Sequence, residues 1–277
     1  MGPSPCHTVP LSHHRRREGR SVPGNDNLVI PVAQPVESVC QAEAMTLHPI
    51  GLLGGMSYHS TIDYYRGIND AVAEAKGGHT SAPLLLASLN FAEVHALQDA
   101  GDWAGAGRLL ADHARRLQDA GAQAIAICTN LMHKVAPDVE AAIDVPLLHI
   151  VDAVAAAAQA RGLASLGIMG ARWTMTEPFY ADRLAQCGVR PVRASDDDVT
   201  LTDRIVFDEL TRGIVRDPSR AALLGVVSRL AAAGADGIAL SCTELPLILH
   251  ESNCPVPVVE STGAHVAACA RFVLTGD

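Results

Sequence analysis

The chain has 277 residues, enough for one large domain or two small ones. With 48% hydrophobic and 18% charged residues, it carries the material for a core and too little charge for a disordered chain. A formal net charge of −9 and 4% aromatics exclude nucleic acid and anionic membrane as main partners, because both select for basic patches and single strands also select for stacking platforms.

Residues 1–45 hold six prolines, a basic run at Arg15, Arg16 and Arg17, and no helical or strand periodicity. They read as an extension outside the fold, with Met45 as a second candidate start and the fold beginning near Thr46. Pro49–Gly55 is a short apolar run ended by glycines, which predicts a buried strand. Ser57 or Ser60 can cap the next helix, with Ile62, Tyr65, Ile68 and Val72 at helical spacing. The pattern then gives a strand at Ala82–Asn90, a helix at Trp103–Ala120 and strands at Ala124–Cys128 and Val145–Ile150. A helix at Asp152–Arg161, a strand at Ala164–Gly170, a helix at Thr176–Cys187 and a strand at Val189–Val192 follow. Helices at Leu201–Gly213 and Pro218–Ala233, strands at Gly237–Leu240 and Val256–Val259, and a helix at Thr262–Leu274 complete the chain. Strands that alternate with helices, and that are apolar throughout, predict parallel sheets flanked by helices. The most apolar stretch, Val151–Ala160, is too short and too interrupted to span a membrane, so no membrane partner is expected.

The chain also repeats itself. Arg116-Leu117, Ala120-Gly121-Ala122 and Ile125-Ala126 match Arg229-Leu230, Ala233-Gly234-Ala235 and Ile238-Ala239 without a gap. Val145-Pro146 is echoed by Val256-Pro257, and Gly51 and Gly54 by Gly167 and Gly170. The expected architecture is therefore α/β, with two pseudo-symmetric Rossmann-like subdomains over 46–160 and 161–277 and the active site in the cleft between them. The last helix is expected to pack back on the first half. Open parallel sheets bind ligands at the carboxyl ends of their strands. Aligning the repeats places Thr129 opposite Cys242 and Cys128 opposite Ser241. Side chains on two sides of one cleft suit a reaction in which a proton leaves one face of a carbon and returns on the other.

These residues resemble a known family. Ile50 to Met56 with Ser57, Ser60, Thr61, Tyr64 and Tyr65 looks like the amino-terminal signature of the cofactor-independent aspartate/glutamate racemases. Cys128-Thr129-Asn130-Leu131-Met132-His133 and Ser241-Cys242-Thr243-Glu244 look like its two catalytic motifs. The nearest branch is that of the broad-specificity or L-Asp/Glu-type amino-acid racemases, through Asn90-Phe91-Ala92, Cys128-Thr129-Asn130 and Phe179-Tyr180. The resemblance implies removal of the α-proton by a thiolate and reprotonation from the opposite face, with no cofactor. The family's common first motif is Cys-Asn-Thr, and aligning on the asparagine puts Thr129, not Cys128, at the first catalytic position. Cys128 then reads as a buried strand residue. Cys242 is the expected base and Thr129 a weaker acid, which predicts unequal initial rates for the two enantiomers.

The resemblance places substrate contacts at Met56, Gln98, Asn130, Leu131, Met132 and Thr243, with the N–H groups of Asn130, Leu131 and Met132 at a helix start suited to a carboxylate. Leu131 and Ala171 stand where the branch carries threonine, which points away from tight aspartate recognition. His133, His265 and Glu244 read first as structural, though each has a functional alternative. Lys76 and Lys134, the sequence's two lysines, lie in no pyridoxal context, and the seven cysteines form no C-x-x-C or metal pattern. A cytoplasmic, homodimeric enzyme acting on an amino acid is the expectation. The alternatives are a single-cysteine isomerase or decarboxylase of a dicarboxylate, and a non-catalytic amino-acid-binding protein.

Overall fold

The structure, a computed structural model, describes residues 46–277. The extension expected over 1–45 lies outside the described residues. The first half runs β1 (Ile50–Gly54), α1 (Tyr58–Lys76), β2 (Leu84–Ser88), α2 (Phe91–Asp99), α3 (Trp103–Asp119), β3 (Ala124–Ile127), α4 (Ala136–Glu140), β4 (Leu147–Leu148) and α5 (Ile150–Ala160). The second runs β5 (Ser165–Gly170), α6 (Arg172–Thr176), α7 (Pro178–Gln186), β6 (Arg190–Val192), α8 (Asp196–Asp208), α9 (Asp217–Ala232), β7 (Gly237–Ser241), β8 (Val258–Glu260) and α10 (Ser261–Thr275). Two four-stranded parallel sheets result, ordered β2-β1-β3-β4 and β6-β5-β7-β8.

The two sheets repeat one another down to single contacts. Gly51 pairs with Ile125 and Gly167 with Ile238. A Cβ on Gly51 would lie 2.7 Å from Ile125 Cδ1 and 3.0 Å from Leu117, and one on Gly167 would lie 2.8 Å from Ile238 Cδ1 and 3.0 Å from Leu230. These are the same residues that match in the sequence repeat. At both places a helix side chain fills the volume a strand side chain would need.

Each sheet is covered on both faces, which is why its strands read as unbroken apolar runs. In the first, Leu53, Ile125 and Ile127 pack against Leu110, Ala114 and Leu117 of α3, while Leu52, Ala124 and Ala126 face Tyr64 and Ile68 of α1 together with Cys269 and Phe272 of α10. In the second, Ile238 and Leu240 pack on Val206, Leu223 and Val227, while Leu166, Ile168 and Ala239 face Val154 of α5 and Leu184 of α7. So α10, which ends the second half, lies on the first sheet, and α5, which ends the first, lies on the second. A cut at 160/161 divides the chain but not its packing.

Several local readings change. On α1 the buried side is Ser60, Thr61, Tyr64, Ile68 and Val72, whereas Ile62 and Tyr65 are exposed. Ser57 stands at the α1 N-cap but offers its carbonyl, which accepts from the Ser60 and Thr61 hydroxyls. The helix expected at Thr176–Cys187 is α7, which starts at Pro178 because Glu177 is extended ahead of it, and Thr176 ends the separate short helix α6. The helix expected at Leu201–Gly213 starts earlier, at Asp196, where the Ser195 hydroxyl accepts from the Asp198 N–H.

Three imidazoles sit where α5 and α10 meet. His133 Nδ1–H donates to the Thr129 carbonyl (2.8 Å) and Nε2 accepts from the Ile150 N–H (3.1 Å). His149 caps α5 by accepting from the Val151 N–H. His265 Nε2–H donates to the Leu148 carbonyl and its Nδ1 accepts from the Tyr64 hydroxyl, both at 2.7 Å. Each bonding pattern requires a neutral ring. Burial holds His133 well below its ordinary pKa and lowers His149 and His265 to about 4.

Two predictions concern stability. Gly167→Val, which forces a branched side chain into Leu230 and Ile238, lowers the unfolding free energy by about 1–3 kcal/mol in denaturant titration. The unfolded rings take up protons near their ordinary value while the folded ones do not, so stability falls as pH drops from about 6.5 towards 4. His149 and His265 each lose on the order of 3 kcal/mol across that window. His149→Asn, which keeps a capping acceptor but does not titrate, flattens the slope.

Candidate active site

The carboxyl ends of β1, β3, β5 and β7 open onto one cleft of about 300 Å³. This is the place where open parallel sheets hold ligands. Its floor is built from turns. After β1, Gly55 adopts a φ of +84°, and a Cβ there would lie 2.2 Å from the Leu89 carbonyl oxygen, so glycine is required. That turn brings Met56 and Ser57 to the cleft. The Gly55 N–H donates to the Thr61 hydroxyl, and the Ser60 hydroxyl lies 3.0 Å from the Cys128 carbonyl, so the β1 and β3 ends are tied together.

Beyond β3, Cys128 still belongs to the ladder, its N–H donating to the Leu53 carbonyl, and its side chain is 1% exposed in the core. Burial pushes its thiol well above the ordinary range. The next residue leaves the sheet through a tight turn, with the Thr129 N–H donating to the Ile127 carbonyl. Thr129, Asn130 and Leu131 then line the cleft. Asn130 is 5% exposed. Its Nδ2 donates to Ser261 Oγ of α10 (3.0 Å), while its Oδ1 has no partner among the described residues. That oxygen is covered by protein, so it is not presented to the cleft itself. Met132 does not line the cleft: its side chain is in the core, where its sulfur accepts from Gln98 Nε2 (3.0 Å). What it can offer a ligand is its main-chain N–H at the start of the 3₁₀ turn Leu131–Val135.

The second half answers from β7. Sheet register makes Ser241 the counterpart of Cys128, and Cys242 that of Thr129. Cys242, Thr243 and Glu244 all line the cleft. The Cys242 thiol donates to Glu244 Oε2 (3.0 Å), and the Thr243 hydroxyl donates to the same oxygen (2.7 Å). Burial first, then the Glu244 charge and the thiol's hydrogen bond to it, push the Cys242 thiol well above the ordinary range, and Asp203 adds to this; the Glu244 N–H works against it. The thiol is thus protonated at neutral pH and aimed at a carboxylate. Glu244, first read as structural, is the polar centre of this strand end. Its position two residues after the cysteine was visible in the sequence, but its hydrogen bonds were not.

The walls come from helices. One face of α2 presents Phe91, His95 and Gln98, one helical turn apart from each to the next. This helix was missed in the sequence, where the strand reading was carried on to Asn90; Asn90 is instead its N-cap, accepting from the Ala92 N–H. The loop after β5 adds Ala171 and Trp173, and the end of α8 adds Val206 and Phe207. His133 and His265 lie behind the cleft, not in it, and His133 orients the Thr129 backbone rather than its hydroxyl. Lys134 is held away by Glu177 Oε1 (2.7 Å) and by the Trp103 ring, 3.9 Å from its centroid. Among the described residues no group of histidine, cysteine, aspartate and glutamate is placed to hold a metal ion, and no helix is long and apolar enough to cross a membrane.

Known proteins share this fold. A proposed Asp/Glu racemase from Yersinia pestis is 42% identical, with 83% of this chain and 100% of that one covered and a TM-score of 0.80. An aspartate racemase homologue from Pyrococcus horikoshii OT3 is 30% identical over 82% of this chain and 99% of its own, with a TM-score of 0.72. A variant of arylmalonate decarboxylase shares the fold, at 20% identity over 83% and 94% of the two chains, with a TM-score of 0.50. The profile of Asp/Glu/hydantoin racemases matches residues 53–269. With that match spanning both sheets and both strand ends of the cleft, the chain belongs to the Asp/Glu/hydantoin racemase family.

Proposed function

We propose that the protein is a cofactor-independent amino-acid racemase in which Cys242 and Thr129 serve opposite faces of the substrate Cα. The observation that carries this reading is that the two residues occupy equivalent strand ends of the two halves and line the same cleft. The main-chain N–H groups of Asn130, Leu131 and Met132, which donate to no group among the described residues, hold the α-carboxylate. Cys242 passes its proton to Glu244 and, as a thiolate, removes the α-proton; charge flows into the carboxylate held by those N–H groups. Thr129 relays a proton to the other face, its hydroxyl taking one up from water in the open cleft as it gives one, and Glu244 releases the proton it took to solvent. Running backwards, the hydroxyl must act as the base, which is the harder direction.

The resting thiol is a poor base, because burial and Glu244 favour its protonated form. Handing the proton to Glu244 removes the charge that opposes the thiolate, and burial of the thiol is the cost that remains.

One thiol in the cleft also favours a second reading, a one-thiol decarboxylation that protonates a single face. The products separate the two, since only that reaction releases carbon dioxide.

Incubated with L-amino acids in deuterated water, the protein incorporates α-deuterium and forms the D-enantiomer. Cys242→Ala lowers the rate by about 10²–10⁴-fold, and Thr129→Ala slows the two directions unequally. Carbon dioxide release without α-deuteration of any amino acid refutes the racemase. A separate measurement follows Cys242 alkylation against pH by mass spectrometry. Its midpoint in the wild type lies above the ordinary thiol range, and Glu244→Gln moves it to lower pH.

A further inference from the structure

The side-chain half of the cleft gives the substrate class, and this inference rests on the racemase reading. The polar ends of the strands take the α-substituents, so the substrate side chain points outward between α2 and α8. Phe91 of α2 and Phe207 of α8, from opposite halves, are 41% and 48% exposed and both line the cleft. Leu131, Trp173 and Val206 add apolar surface to the lining, alongside the neutral polar groups of Gln98, Thr174 and Thr211. Large apolar groups left half in water beside a cavity gain by being covered.

Charge points the same way. The described residues lining the cleft include no lysine and no arginine. Arg172, next to lining residues in sequence, faces Asp203: its N–H donates to Oδ1 (2.8 Å) and its Nε lies 3.6 Å from Oδ2. The acidic group in the lining is Glu244, and the charge of Asp203 also reaches Cys242. A side-chain carboxylate entering here would find two half-solvated imidazoles at most, His59 and His95, with His95 already paired to Asp99 at 2.9 Å. It would lose water without gaining a charged partner.

We infer that the cleft is built for amino acids with a large, neutral, preferably aromatic side chain, held between Phe91 and Phe207, and that it discriminates against aspartate and glutamate.

The test uses the full chain with phenylalanine, leucine, lysine, aspartate and glutamate. Initial α-deuteration rates give kcat/KM for each, and quenching of Trp173 fluorescence reports binding independently of turnover. The expected result is that phenylalanine exceeds aspartate and glutamate at least tenfold in both readouts. Phe207→Arg, at an exposed position, is expected to move the aspartate-to-phenylalanine ratio at least tenfold towards aspartate. Equal or better use of aspartate, faster exchange of lysine than of phenylalanine, or an unmoved ratio in Phe207→Arg overturns the inference. Binding of phenylalanine over aspartate with no deuteration of any amino acid sinks the racemase reading and leaves the ligand class standing. No binding of phenylalanine sinks the ligand class itself.

Discussion

The helices α5 and α10 each finish one half of the chain and cover the sheet of the other. Neither sheet can bury its second face without a helix supplied from across the molecule, so hydrophobic burial of both cores holds the halves together. The polar ties at the seam follow from it. Asn130, at the end of β3, donates to Ser261 at the start of α10, and His133 links the Thr129 carbonyl to the start of α5. Tyr64 and His265 join α1 to α10 and onward to the Leu148 carbonyl. Each tie connects a strand end to one of the exchanged helices, so the geometry of the proposed site is fixed by the same packing that stabilises the fold. The neutral rings at this seam make the linkage pH-dependent, because charging His133 or His149 breaks an acceptor role at the start of α5, and charging His265 breaks its acceptance from the Tyr64 hydroxyl.

The architecture could be read from the sequence because its determinants are local or repeated. Strands covered on both faces must be apolar throughout, and the glycine-centred contacts at Gly51 and Gly167 leave the same residue pattern twice. The equivalence of Thr129 with Cys242 follows from that repeat alone. The rest depends on long-range partners. Ile62 and Tyr65 have good helical spacing but lie on the outer side of α1, because Tyr64 is drawn in by His265, a residue 201 positions away. The fit of α10 to α1 at Gly67, where a Cβ would meet Val266 Cγ1 at 2.7 Å, has no counterpart in periodicity. The short helix α2 was hidden because its cap, Asn90, follows closely on a strand and its apolar positions are divided, Val94 and Leu97 packing on the core while Phe91 faces the cleft. Helices that serve a cavity carry a mixed face, and a hydrophobic stripe is then the wrong signal to look for.

Duplication gave the protein two equivalent strand ends, and they have diverged in opposite directions. At the first, Thr129 and Leu131 are uncharged and Asn130 Oδ1, covered by protein, has no partner among the described residues. At the second, Cys242, Thr243 and Glu244 satisfy one another through a single carboxylate oxygen. Leu131 is the positional counterpart of Glu244, so one end carries a charge exactly where the other carries an isobutyl group. A carboxylate at both ends would raise the cost of ionising a thiol at either, since like charges across a small cleft are weakly screened. Confining the charge to the second end leaves the first free to bind the polar head of a ligand. In the proposed reaction it also makes the two directions of proton transfer chemically unequal, and that inequality is the consequence of the divergence that kinetics can measure.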